Sequence, residues 1–143
     1  AQGKLDGIKV FGCDGLDGII GQLADKASLA EGVMLLTPFV ADSKEEKSAK
    51  FTAAYREKFG ETPIQFAADA YDAIYTIKAA LEYAKVTDPT IDHSALSDAL
   101  TAAMTKITVE GVTGTMTWDE SGEPSKTPKA MVIQGGTYVS MDE

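Results

Sequence analysis

Two aspartates, Asp14 and Asp17, stand among four glycines in the stretch VFGCDGLDGIIG, residues 10–21, directly after a short apolar run. Carboxylates in a glycine-rich turn can do several kinds of chemistry, and their spacing sorts these. The glycines fall at 12, 15, 18 and 21, which matches neither GxGxxG nor GxxxxGK[ST], and no lysine follows to neutralise phosphate. Two anions would also repel it. A phosphatase using an aspartate nucleophile needs a second aspartate two residues on, where this chain has Leu16. A calcium loop needs oxygen ligands at alternating positions and an acid at its end, which the stretch does not supply. Two readings remain. One is an anion at the C-terminal end of a strand, where open α/β sheets place their ligands, suited to receive a cation such as an amino group. The other is that both aspartates serve as turn and helix caps. Residue physics favours capping, more so for Asp17, which directly precedes a helical pattern.

The other chemistry-bearing residues are sparse. Cys13 and His93 are each alone in the chain, so an intrachain disulfide and a Cys/His zinc site are excluded, and one histidine with one cysteine supports no nucleophile–base pairing. His93, at an expected helix start in polar company, is read as solvated. Asp69 and Asp72 lie on one side of a long helix; an acid pair is conceivable, but acids near a helix N-terminus are favoured by the dipole without any catalytic duty. Trp118, in the alternating run GTMTWDESG, reads as a core anchor rather than a ligand-stacking ring.

These residues need a frame. GIKVFG reads as a short buried strand and DGIIGQLADKA, with Ile19, Ile20, Leu23 and Ala27 at near-helical spacing, as a helix. EGVMLLTPFV is a continuous apolar run of the kind expected for a parallel strand covered on both faces, ended by Pro38. In DSKEEKSAKFTAAYREKFGETP, Ser43 and Glu46 have capping-box spacing and Gly60 can close the helix. From Pro63 a second long helix carries Ala67, Tyr71, Ile74, Ile77, Leu81 and Ala84 on the face predicted to pack. A third helix, near 92–105, is capped by Asp92 or Thr90. Three β-rich runs then follow, joined by DESGEP and GG. Two parallel strands with one crossover make too small a sheet to cover three further helices, so either another chain completes the sheet or residues are missing.

With 143 residues and 44% hydrophobic side chains, the sequence is of globular type. A net charge of -9 argues against nucleic acid and anionic membrane surfaces as partners, and leaves a small molecule or another protein. No apolar run approaches the roughly 20 residues a membrane helix needs, and AQGKLDGIKV has neither the basic start nor the apolar core of a signal peptide, so the chain is expected to be soluble.

The segments IKVFGCDGLDG, EGVMLLTPFVAD, FTAAYREKFGETPIQFAADAYDAIYTIKAAL and VTGTMTWDESGEPSKTPKAMVIQGGTYV, in this order and spacing, resemble the C-terminal part of the periplasmic branched-chain amino-acid binding proteins, the leucine/isoleucine/valine-type receptors of ABC importers. The resemblance implies an α/β fold, a portion of the two-lobed type I periplasmic-binding-protein architecture with a parallel sheet flanked by helices and a β-hairpin near the C-terminus. It implies that residues 1–40 belong to the second lobe, 43–118 to the first, and 119–143 return to the second. The family's chains are more than twice this length, so the N-terminal half is expected to be absent and the truncated chain to bind ligand weakly or not at all and to self-associate. Residue by residue, Asp14 falls where the family receives the ligand's α-ammonium group, which reverses the capping preference for that residue. Phe66 falls where the family lines the side-chain pocket, with a core phenylalanine as the alternative. The implied function is extracytoplasmic capture of a branched-chain or other aliphatic amino acid for a membrane permease, without catalysis or cofactor. The location would be periplasmic or extracellular, lipid-anchored if Gram-positive. A ligand-sensing domain of a receptor or regulator would share the fold. A small α/β hydrolase or nucleotide-binding enzyme is the other class, and the base, metal or phosphate loop it needs is not found.

Overall fold

The computed structural model describes residues 7–141. In chain order the elements are β1 (Phe11–Gly12), α1 (Ile19–Leu23), β2 (Met34–Thr37), α2 (Glu46–Phe59), α3 (Gln65–Tyr83), α4 (His93–Met104), β3 (Val109–Glu110), β4 (Thr115–Met116), β5 (Lys129–Gln134) and β6 (Thr137–Ser140). The contacts divide the chain into two units, one comprising residues up to Gln65 together with those from Pro128 onward, the other Phe66–Thr127.

The first unit is built on a four-stranded mixed sheet, ordered β1-β2-β5-β6. β1 and β2 are parallel, as the sequence predicts for strands joined by a crossover, while β5 runs antiparallel to β2 and β6 to β5. The register sets Leu35 opposite Met131, and the alternation along β2 and β5 turns Leu35, Met131 and Ile133 inward with Ala30, Val33 and Val40. Leu16, Ile19, Ile20 and Leu23 pack on this cluster from the crossover. The expectation that β2 is covered on both faces is not met: Met34 and Leu36 are only half-buried, because the helical cover lies on one side. The crossover helix is also shorter than its apolar spacing suggests. It is α-helical only over Ile19–Leu23, and beyond Ala24, whose φ is 48°, it continues as 3-10 turns to Ala30.

α2 stands on Phe39, which is fully buried and meets Phe51 edge-to-face at 5.7 Å; Tyr55 and Phe59 continue the aromatic row one turn apart. The predicted capping box does not form. The helix begins at Glu46, after an N-cap at Glu45 whose side chain makes no capping bond and pairs with Lys129 at 3.0 Å, and the Ser43 hydroxyl accepts the Glu45 N–H instead. At the other end Gly60 closes the helix as predicted, in the left-handed region with φ 75° and its N–H on the Arg56 carbonyl at 2.9 Å. Gly60→Ala is expected to cost about 1 kcal/mol through the strain a Cβ suffers at that φ; urea unfolding of the two proteins side by side would show it, and equal midpoints would contradict it.

The second unit buries a row of small side chains. Ala80, Ala103, Ile107, Val109 and Met116 form its core, with Leu100, Met104 and Trp118 packed around them, so Trp118 is the structural residue the sequence suggests. Asp92 caps α4 by accepting the N–H groups of Ser94 and Ala95, while Thr90 turns to Asp88. β4 pairs antiparallel with β3, a two-residue strand with no sequence signal of its own, and the following loop closes with a bridge between Trp118 and Pro124.

Within α3 the structure reverses the predicted orientation. The buried row is Gln65, Ala68, Asp72, Thr76 and Ala80, whereas on the face predicted to pack Ile74 is 67% and Ile77 49% exposed. The reason is local: Asp72 takes the backbone of the loop 112–113, and Ala80 joins the core with Ala103, Ile107, Val109 and Met116, so the row that carries both is the one covered. Asp72 is what receives that loop. Its Oδ1 accepts the Val112 N–H at 2.8 Å, and its Oδ2 accepts the Thr113 N–H at 2.9 Å and the Thr113 hydroxyl at 2.6 Å. Asp69 pairs instead with Lys126 at 2.8 Å, so the two acids do not act together. Nor is the helix dipole the reason for Asp72, which lies in the helix body as a buried anchor. Gly111 makes the approach possible, since a Cβ there would overlap the Asp72 carboxylate.

Candidate functional site

The DGLDG stretch starts where β1 ends. Cys13 is extended and exposed, and Asp14–Leu16 make one 3-10 turn, closed by Leu16 N–H on the Cys13 carbonyl and Asp17 N–H on the Asp14 carbonyl. Leu16 turns into the sheet core, which leaves Asp14 on the outside of the turn. Because β1 and β2 are parallel, the turn stands at the C-terminal ends of both strands, the edge at which open α/β sheets carry ligands.

The two aspartates are used differently. Asp14 is exposed, and one of its oxygens accepts the neighbouring Gly15 N–H at 3.0 Å. Its other oxygen takes no hydrogen bond from the described residues, so the carboxylate can still receive a donor. Asp17 is half-buried and fully engaged: Oδ1 accepts the Gly18 N–H at 2.9 Å and Oδ2 accepts the Gln65 N–H at 2.7 Å. Burial pushes the Asp17 carboxyl above its ordinary pKa, and the two N–H donors only partly offset that. The Tyr138 hydroxyl oxygen, arriving from β6, accepts the N–H of Gly18 at 2.8 Å and that of Ile20 at 3.4 Å; burial, ahead of its other influences, raises its pKa.

Gln65, the first residue of α3, is held twice. Its N–H is on Asp17, and its side chain lies against Thr37 at the end of β2, 2.7 Å from the hydroxyl. Thr37 has one hydroxyl proton and two acceptors in reach, Gln65 Oε1 and the Phe39 carbonyl at 3.0 Å, while the fully buried Gln65 Nε2 has no partner among the described residues. Phe66, the next residue, opens the second unit and is 49% exposed, so it is not the core phenylalanine of the alternative reading. His93 is exposed, at the start of α4.

The turn that carries Asp14 and Asp17 is thus fixed by Tyr138, Gln65 and Thr37, none of which the sequence singles out. Tyr138 lies 120 residues from Gly18 in the chain, and no local pattern encodes that meeting. Among the described residues no group of three His, Cys, Asp or Glu side chains could hold a metal ion, and no helix is long and apolar enough to cross a membrane.

Comparison with curated protein sequences yields no match. Solved structures do match. A solute-binding protein of an ABC transporter from R. palustris, in complex with benzoate, superposes with a TM-score of 0.78 at 18% identity, over 98% of this chain and 37% of that one. The branched-chain amino acid transporter substrate-binding protein LivJ from Streptococcus pneumoniae, in complex with isoleucine, gives 0.73 at 26% identity over 97% and 40%. A putative branched-chain amino acid ABC transporter protein from Rhodospirillum rubrum gives 0.67 at 28% identity over 98% and 39%. The chain therefore spans well under half the length of these proteins. Its mixed sheet and flanking helices match the type I periplasmic-binding-protein fold, and the family described as periplasmic binding protein matches residues 1–136. The chain belongs to the periplasmic binding protein family.

Proposed function

We propose that this chain belongs to the extracytoplasmic solute-binding component of an ABC importer, which captures a branched-chain or other aliphatic amino acid and hands it to a membrane permease without catalysing a reaction. The observation that carries this reading is the Asp14 carboxylate oxygen that takes no hydrogen bond from the described residues, at the C-terminal ends of β1 and β2. An ammonium group has three donors in a compact cation, and an acceptor-only side chain with a free oxygen is its natural complement. Phe66 would contribute apolar surface to the ligand's side chain. The isoleucine and benzoate bound by two of the similar structures share a carboxylate and an apolar body, and only the amino acid carries the amine. Calorimetric titration of leucine, isoleucine, valine and benzoate into a protein containing this chain tests the reading: an aliphatic amino acid should bind and benzoate should not. Tight benzoate binding with no amino-acid response would overturn it.

The lobe assignment proposed with this function places residues 1–40 and 119–143 in the second lobe and 43–118 in the first. It differs from the two contact units chiefly over α2, which packs on Phe39. We also propose that the 143-residue chain self-associates through the exposed apolar face of α3. Ile74 and Ile77 are the centre of that face, and each would contribute about 1.5–3 kcal/mol on burial. Light scattering should show species above the monomer mass that the double variant Ile74→Glu/Ile77→Glu returns to monomer; a monomeric parent chain would end the proposal.

A further inference from the structure

Among the described residues the Asp14 carboxylate bonds only its own neighbour, so its location in space depends on what holds the turn. Leu16 seats one side of that turn in the sheet core, and Tyr138 takes the N–H of Gly18. The remaining tie is Asp17, whose Oδ2 reaches Gln65 across 48 positions of sequence and whose Oδ1 stays on the turn. We propose that Asp17 is the positioning residue of this turn: its carboxylate fastens the segment 13–18 to the first peptide N–H of α3 and so sets where Asp14 stands. The functional side of this inference rests on the reading of Asp14 as the ammonium acceptor.

The chemistry of the pair of bonds explains the residue type. Both partners are N–H donors, and a carboxylate is the side chain of this length that accepts on both oxygens; asparagine would turn an NH2 group against one of them. Burial raises the Asp17 carboxyl above its ordinary pKa. A carboxyl whose folded-state pKa is raised contributes stability that is fully present below its unfolded pKa and is lost as pH rises through the folded value, so the fold favours the protonated over the ionised form of Asp17. What the carboxylate supplies is geometry: two acceptor oxygens on the converging N–H groups of Gly18 and Gln65.

The hydrogen exchange of the Gln65 amide, which Asp17 holds directly, supplies the assay. It is compared in the parent chain, Asp17→Asn, Asp17→Ala and Asp14→Asn. In Asp17→Asn the Gln65 amide should exchange about tenfold faster, the worth of one lost bond to a charged acceptor, while the melting temperature holds. Asp14→Asn should leave that rate as it is. Unchanged exchange in Asp17→Asn would overturn the proposal. So would a loss of protection spread evenly to the core amide of Ile133, which marks an ordinary stabilising contact. If Asp17→Asn loosens the turn but no amino acid binds a protein containing this chain, the anchoring by Asp17 stands and the ligand reading falls.

Discussion

Asp72→Ala should destabilise the second unit by about 3–5 kcal/mol, the cost of breaking a buried charged contact by removing one side of it. The carboxylate is 2% exposed and receives three donors from Val112 and Thr113, and alanine would leave all three in a site that water does not reach. Against a typical domain stability of about 5–15 kcal/mol, such a loss can melt the unit at room temperature. Asp72→Asn should cost less, since the amide keeps one acceptor, and Gly111→Ala should reproduce much of the damage from the opposite side of the same contact. Trp118, the only tryptophan, packs on the core of this unit, so its fluorescence during urea unfolding reports the unit specifically. A loss below about 1 kcal/mol for Asp72→Ala would mean that the loop 111–113 finds water when its anchor is gone, and would remove Asp72 from its structural role.

Asp14→Asn should weaken amino-acid binding about 30-fold or more in a protein containing this chain, the scale of losing one partner of a desolvated charge pair. Asparagine keeps the size of the side chain and its bond to Gly15, so the loss isolates the charge. Stability should not change, because Asp14 contributes only a local bond in an exposed turn. Calorimetry on parent and variant with the same aliphatic amino acid makes the comparison. Equal affinities would assign the ammonium group elsewhere. A variant that lost affinity and stability together would point to a folding defect.

Much of the architecture is written in short-range pattern. The parallel β1–β2 pair with its crossover, the C-terminal stop of α2 at Gly60, the Asp92 cap of α4 and the Gly135–Gly136 hairpin between β5 and β6 all follow from apolar runs and punctuating residues. Each depends on residues within a few positions of one another. The capping box at Ser43 failed because the chain is still extended at Glu45, the N-cap, so the helix begins beyond the reach of that hydroxyl. The α3 orientation failed for a deeper reason. Apolar spacing marks the face that prefers to leave water, but which face is buried depends on the neighbours present, and here Asp72 takes the loop 112–113 while Ala80 joins the core of the second unit.

The sequence by itself determined which residues stand together: a turn with two acids after the first strand, in a chain with one cysteine and one histidine. Only the tertiary structure decided that the two acids divide the work. Asp14 keeps an oxygen open while Asp17 spends both on the backbone, because Gln65 and Tyr138, distant in sequence, arrive on one side of the turn and not on the other. Spacing along a chain states which residues can share a turn; which of their atoms remain available is settled by the donors that folding brings to them.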